Sequence, residues 1–224
     1  MILKICGITC QEDADAAIDA GANASGFIFY PKSPRYIEPE RAGAVRTAAG
    51  VRRVGVFVNE SRARVEETGA RARLDTAQLH GDETAADCPA SLAVWKACRV
   101  EGAFDTSRFD GIPAEALVLD GPAGAAYGGA GIPFDWRIAG GTRWRIILAG
   151  GLDAANVAEA ISLARPWGVD ACSRIESTPG KKDHGKMRDF LKAAKAAMEA
   201  QARRPNPIPA AISGLTAAAT FRKC

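Results

Sequence analysis

Apolar residues along the chain come in short runs, each ending in glycine or polar residues. They are "ILKIC" at 2–6, "ASGFIF" at 24–29, "VRRVGVFV" at 51–58, "TAQL" at 76–79, "LAVWKACRV" at 92–100, "EALVLD" at 115–120, "WRIILAG" at 144–150 and "GVDACS" at 168–173. Runs of this length, rich in Val, Ile and Leu, predict strands buried on both faces. The segments that follow read as helices, most clearly "CQEDADAAIDAG" and "LDAANVAEAISLARP", and Thr9 with Glu12 matches a capping box. Strand alternating with helix requires a parallel sheet, because parallel neighbours need crossover connections. "GANASGF" and "GVDACSR" repeat the same helix-to-strand junction. Eight such units in about 200 residues predict a single (β/α)8 barrel over residues 1–202. After a last amphipathic helix near "GKMRDFLKAAKAAMEAQARR", residues 203–224 turn Pro- and Ala-rich, with three prolines within five residues, and read as a mobile tail.

Composition narrows the function classes. Hydrophobic residues make up 47% of the chain and charged residues 25%, and 29 basic residues stand against 26 acidic ones without a dense basic stripe. That balance points to a small-molecule partner and away from nucleic acid. The six cysteines include no C-x-x-C pair, which fits reduced thiols in a cytoplasmic protein. "MILKICGITC" lacks the long apolar core of a signal peptide, and no apolar run is long enough to span a membrane. The expectation is a soluble, unexported protein, monomer or homodimer, with no membrane or nucleic-acid partner.

In a parallel barrel the reactive groups stand at the carboxyl ends of the strands. No His, Asp and Glu cluster there resembles a metal site. Cys6 and Asp120 are the two strand-end groups able to exchange protons. Cys6 is either a packing cysteine or a base for a carbon-bound proton, and the glycine after it leaves room for a ligand. Asp120, before Gly121, either caps a loop or holds a proton for delivery. Gly150 and Gly151 in "LAGGLDAANV", with Ser173 and Arg174 in "ACSRIESTPG", form the expected phosphate corner. Gly129 and Gly131 belong to another glycine loop, "YGGAGIPFDW", which is neither a Walker sequence nor a dinucleotide fingerprint. Arg35, between stiffening prolines in "YPKSPRYI", is placed to grip a carboxylate through two parallel bonds. His80 either lines the site or caps a strand, and His184 reads as solvent-facing.

Together these stretches resemble the phosphoribosylanthranilate isomerase family of tryptophan biosynthesis. The similarity lies in "KICGIT", "GFIFYPKSPRYI", "VGVFVN", "QLHGDE", "LDG", "GGAGIPFDW", "LAGGLDAANV" and "GVDACSRIESTPGKKD", in order along nearly the whole chain before the tail. The resemblance implies a cofactor-free Amadori rearrangement of a phosphoribosyl substrate. It places the general base on Cys6, the general acid on Asp120, the anthranilate carboxylate on Arg35 and the phosphate on the glycine loops. Asp170 lies in a matching strand, with a binding or a structural role. Three positions depart from the family pattern. Ala130 replaces a threonine, Cys172 stands where serine is common, and Arg174 replaces a glycine. If position 174 needs a positive φ, its side chain costs stability or affinity; the expectation is that arginine is tolerated and weakens phosphate binding modestly. The competing readings are a non-catalytic phosphosugar-binding barrel and a related aminoaldose isomerase of histidine biosynthesis.

Overall fold

The computed structural model describes residues 1–100, 105–121, 135–139 and 142–203. Eight parallel strands close into a barrel: β1 (Ile2–Cys6), β2 (Ala24–Ile28), β3 (Arg52–Phe57), β4 (Thr76–Leu79), β5 (Ala93–Arg99), β6 (Ala116–Asp120), β7 (Ile146–Leu148) and β8 (Gly168–Ala171). Each predicted apolar run holds one of them. Closure comes from pairing β1 with β8, where Ile5 faces Ala171. A short antiparallel hairpin, β9 (Glu176–Thr178) with β10 (Lys181–Lys182), follows the last barrel strand.

Helices α1 (Gln11–Asp19), α2 (Pro39–Ala44), α3 (Arg62–Ala72), α4 (Val157–Ala164) and α5 (His184–Ala202) flank the sheet. The expectation of a helix after every strand needs correction. Among the described residues, the connections after β4, β5 and β6 hold only single 3-10 turns, at Ala85–Asp87, Ser107–Phe109 and Trp136–Ala139. Pro89, which lacks an N–H donor, follows the first of these turns closely. The capping box at Thr9 is also absent: Cys10 occupies the N-cap without a side-chain bond, and the Thr9 hydroxyl donates instead to the Gly180 carbonyl at 2.9 Å. Acidic Glu12 and Asp13 still favour that helix end through its dipole.

Strand alternation sorts the buried side chains into two cores. Leu3, Ile5, Phe27, Phe57, Leu79, Leu117, Leu119, Leu148 and Val169 face outward and pack with helix residues such as Val65, Ile161 and Phe190. Ile2, Ala24, Val54, Trp95, Ala116, Val118 and Ile147 face inward and fill the amino-terminal end of the barrel. Outward-facing Arg53 is buried and donates to the carbonyls of Ala42, Val45, Ala72 and Arg73, which ties the carboxyl ends of α2 and α3 together. Those carbonyls carry the negative end of each helix dipole, so a guanidinium suits them.

Candidate active site

A cleft of about 760 Å³, open mouth included, lies over the carboxyl ends of the strands. It is lined by Cys6, Arg35, His80, Asp120, Gly150, Gly151, Asp170, Ser173 and Arg174, so the described candidates from the sequence converge on one place. Gly129 and Gly131, with Ala130, lie outside the described residues.

The inward positions of β1 are Ile2, Lys4 and Cys6. Lys4 is fully buried, and its ammonium donates to Asp170 Oδ2 on β8 at 2.7 Å. Burial works against that charge, but Asp170 and Cys6 outweigh it and hold Lys4 above the usual lysine range. Asp170 is raised to about 7, burial exceeding the pull of Lys4. Cys6 is buried and shares a hydrogen bond with Cys172. That bond, together with burial, raises Cys6 well above the usual thiol range, and Lys4 only partly offsets it. Cys172 moves the other way: its bond with Cys6, helped by Lys182 and Arg35 against burial, lowers it to about 7. The two neighbouring thiols are thus displaced in opposite directions.

Across the cleft, Asp120 ends β6 and is 8% exposed. Its Oδ2 lies 3.4 Å from His80 Nε2, and His80 Nδ1 is 3.3 Å from Gln78 Nε2. His80 thus lines the site. Gly150 has φ +77°, and a side chain there would begin 2.5 Å from Asp120 Oδ1 and hard against the Gly121 nitrogen. Only glycine lets β7 turn this close to the carboxylate.

Arg35 behaves differently from the expectation. Its Nε and Nη2 donate to both oxygens of Glu176, each at 2.8 Å, so the two-bond grip is made within the protein and only the remainder of the guanidinium is left for a ligand. Burial opposes the Glu176 charge, yet Arg35 and Lys182 hold its carboxyl below the usual range. Lys182 Nζ donates to Glu176 Oε1 at 2.8 Å and to the Cys172 carbonyl at 3.2 Å. Gly7, at φ +75°, explains the glycine after Cys6: a side chain would begin 2.9 Å from Arg35 Cδ and 3.3 Å from Cys172 Sγ.

Gly151, Ser173 and Arg174 share one wall of the cleft. The turn after Gly151 is held by Asn156, which donates to the Gly151 carbonyl at 2.8 Å and accepts from the Asp153 nitrogen at 3.0 Å. Helix α4 therefore begins at Val157, several residues beyond the glycine pair. Ser173 and Arg174 form a 3-10 turn. Among the described residues, positive φ outside glycine occurs at Asn59, Arg73 and Arg165 and not at Arg174. The feared backbone strain at position 174 is absent, and its guanidinium meets Asp153 at 3.2 Å. His184 is partly exposed, as its position suggested, and its Nε2 also lies 2.8 Å from Oδ1 of buried Asp13.

Sequence reasoning missed Lys4, Glu176 and Lys182. Lys4 left a readable trace, a charge at an inward position in the middle of "ILKIC"; the other two left none. Among the described residues no group of His, Cys, Asp and Glu could hold a metal ion, and no helix is long and apolar enough to cross a membrane.

This arrangement has close counterparts. A relative from Solibacter usitatus (strain Ellin6076), named N-(5′-phosphoribosyl)anthranilate isomerase, is 66% identical over 200 residues, covering 89% of this chain and all of its own length. The crystal structure of phosphoribosyl anthranilate isomerase from Thermotoga maritima superposes with a TM-score of 0.80 at 38% identity, over 88% of this chain and 100% of that one. A structure of the isomerase in complex with reduced 1-(o-carboxyphenylamino)-1-deoxyribulose 5-phosphate matches at 0.76 and 37% identity, with the same coverage. The family model described as N-(5′-phosphoribosyl)anthranilate (PRA) isomerase matches residues 3–193. With the barrel and its cleft, these matches establish that the chain belongs to the N-(5′-phosphoribosyl)anthranilate isomerase family.

Proposed function

We propose that this chain converts N-(5-phosphoribosyl)anthranilate to 1-(2-carboxyphenylamino)-1-deoxyribulose 5-phosphate, with Asp120 as general acid and Cys6 as general base. The observation that carries the reading is that these two proton-exchanging groups end β1 and β6 and line one cleft. Asp120 gives its proton to the ribose ring oxygen as the bond from that oxygen to C1′ breaks, and the anthranilate nitrogen supplies the electrons for a Schiff base. Cys6 then takes the C2′ proton, and the C2′–H electrons form the C1′–C2′ double bond of an enolamine. Cys6 returns a proton to C1′ and the enol proton passes to Asp120, which gives the ketose and restores both groups. Positioned groups of this kind contribute roughly 10²–10⁴-fold each.

The remaining lining residues divide the substrate between them. Arg35, steadied by Glu176, faces the anthranilate carboxylate with the donors that Glu176 leaves. Gly150, Gly151, Ser173 and Arg174 supply the phosphate end, with the Gly129 and Gly131 loop as a further contributor. Asp170, paired with Lys4, orients the sugar hydroxyls from the barrel floor. No cofactor takes part in this scheme. The test is the loss of anthranilate-type fluorescence when the purified chain meets freshly generated phosphoribosylanthranilate, corrected for spontaneous hydrolysis and checked for the ketose. Turnover that vanishes in Cys6→Ala and in Asp120→Asn is the expected result. A folded protein that binds phosphosugar without turnover would make it a binding barrel, and turnover of the histidine-pathway aminoaldose would widen its substrate range.

A further inference from the structure

Cys6 and Cys172 leave the barrel side by side. Strands β1 and β8 pair through Ile5 and Ala171, and the next residue of each segment is one of the two cysteines. Both line the cleft, and the register sets their side chains on the same inward face of neighbouring segments. Cys172 Sγ also packs against Gly7, the residue after Cys6.

The charged groups facing this pair come from five segments. Lys4 on β1 lies beside Cys6, Lys182 on β10 has its Nζ 3.9 Å from Cys172 Sγ, and Arg35 approaches on the loop after β2. The anions are Asp170 on β8, paired with Lys4 at 2.7 Å, and Glu176 on β9, held by Arg35 and Lys182 at 2.8 Å. Cations close to the two sulfurs favour one negative charge, whereas a second charge on the adjacent sulfur meets strong repulsion. Such a pair titrates as a unit.

We propose that Cys172 is a positioning residue for the isomerisation: it holds one proton in common with Cys6, so that the base is a pair of sulfurs carrying a single proton. This rests on the reading of Cys6 as the base. With the proton on Cys172, the Cys6 sulfur carries the charge and takes the C2′ proton, leaving both sulfurs protonated. Cys6 returns a proton to C1′ of the enolamine, and the pair ends the cycle as it began. The opposed displacement of the two thiols, Cys6 upward and Cys172 downward, agrees with this sharing. A serine at this place can donate to a Cys6 thiolate but cannot carry the charge itself.

The test uses the full-length chain and its Cys172→Ala, Cys172→Ser and Cys6→Ser variants, with ultraviolet thiolate absorbance and kcat/KM each followed against pH. Burial pushes Cys98 up to about 12 and raises Cys10 and Cys88, and differences between variants cancel Cys224. The native chain should form one thiolate near pH 7. In Cys172→Ala that step should move to higher pH, and the acid limb of kcat/KM should follow by about one unit, a roughly tenfold loss near pH 6 that recovers toward pH 9 with KM little changed. Cys172→Ser should regain most of the activity, with its thiolate step still displaced. An unmoved thiolate step and acid limb in Cys172→Ala, or a loss equal at every pH, would reduce Cys172 to packing. If the alanine variant does not fold, an unmoved thiolate step in Cys172→Ser overturns the proposal. A Cys6→Ser chain with normal turnover would sink the base assignment instead, while the absorbance titration would still report on the pair.

Discussion

The two ends of the barrel interior are built from the same strands and serve opposite purposes. At the amino-terminal end, Ile2, Val54, Trp95, Val118 and Ile147 form an apolar plug. Two to four residues further along, the inward positions are Lys4, Cys6, Gln78 and Asp120, with Asp170 one step after the core residue Val169 on β8. A strand repeats its facing every two residues, so one short run can close the barrel with its first inward side chain and present chemistry with its third. The polar end is held by pairing. Lys4 meets Asp170, Arg35 and Lys182 meet Glu176, and Lys96 meets Glu83 at 2.9 Å just outside the sheet. The plug contributes stability through burial, and the paired end trades part of that contribution for charges fixed in place.

The largest effect that separates the ends is catalytic. Cys6→Ala or Asp120→Asn should lower kcat by about 10²–10⁴-fold while thermal unfolding stays close to native. A melting point that falls along with kcat would mean the upper layer is structural like the lower one.

Next come two substitutions of similar cost and different consequence. Trp95→Ala should remove about 3–5 kcal/mol of stability, read by denaturant unfolding, and leave the folded fraction able to turn over. Lys4→Met should cost about 3–5 kcal/mol as well, because it strands the Asp170 carboxyl in the barrel, and should also impair turnover. The double variant Lys4→Met with Asp170→Leu sharpens the contrast. It should recover most of the stability and none of the activity, since an apolar pair of similar volume replaces a buried ion pair at little cost.

Smaller effects belong to the rim. Glu176→Gln keeps the shape but removes the one negative charge shared by Arg35 and Lys182, and KM should rise about tenfold with kcat changed much less. The smallest effect lies away from the cleft. Arg73 caps α3 in the left-handed conformation with φ 54°, and Arg73→Gly should raise stability by about 0.5–1 kcal/mol in thermal unfolding with steady-state rates unaltered.

Much of the barrel could be read from the chain because its signals are local. Apolar runs bounded by glycine located all eight strands, and the run ends put Cys6, Asp120, His80 and the Gly150–Gly151 turn at one mouth. The capping box at Thr9 failed because its hydroxyl had a better partner in Gly180, which lies in a hairpin far along the chain. Arg35 was legible as a residue of the cleft, but its pairing with Glu176, 141 residues away, was not.

Sequence alone thus determined the strand order, the barrel and the placing of Cys6 and Asp120 at strand ends, since hydrophobic spacing and turn chemistry act over a few residues. Tertiary structure decided the charge arrangement. Closing β1 onto β8 brings Lys4 to Asp170 across 166 residues and Cys6 to Cys172, and those contacts displace the two thiols in opposite directions. No local pattern encodes them, because burial and the approach of opposite charges arise only when the first strand of the sheet meets the last.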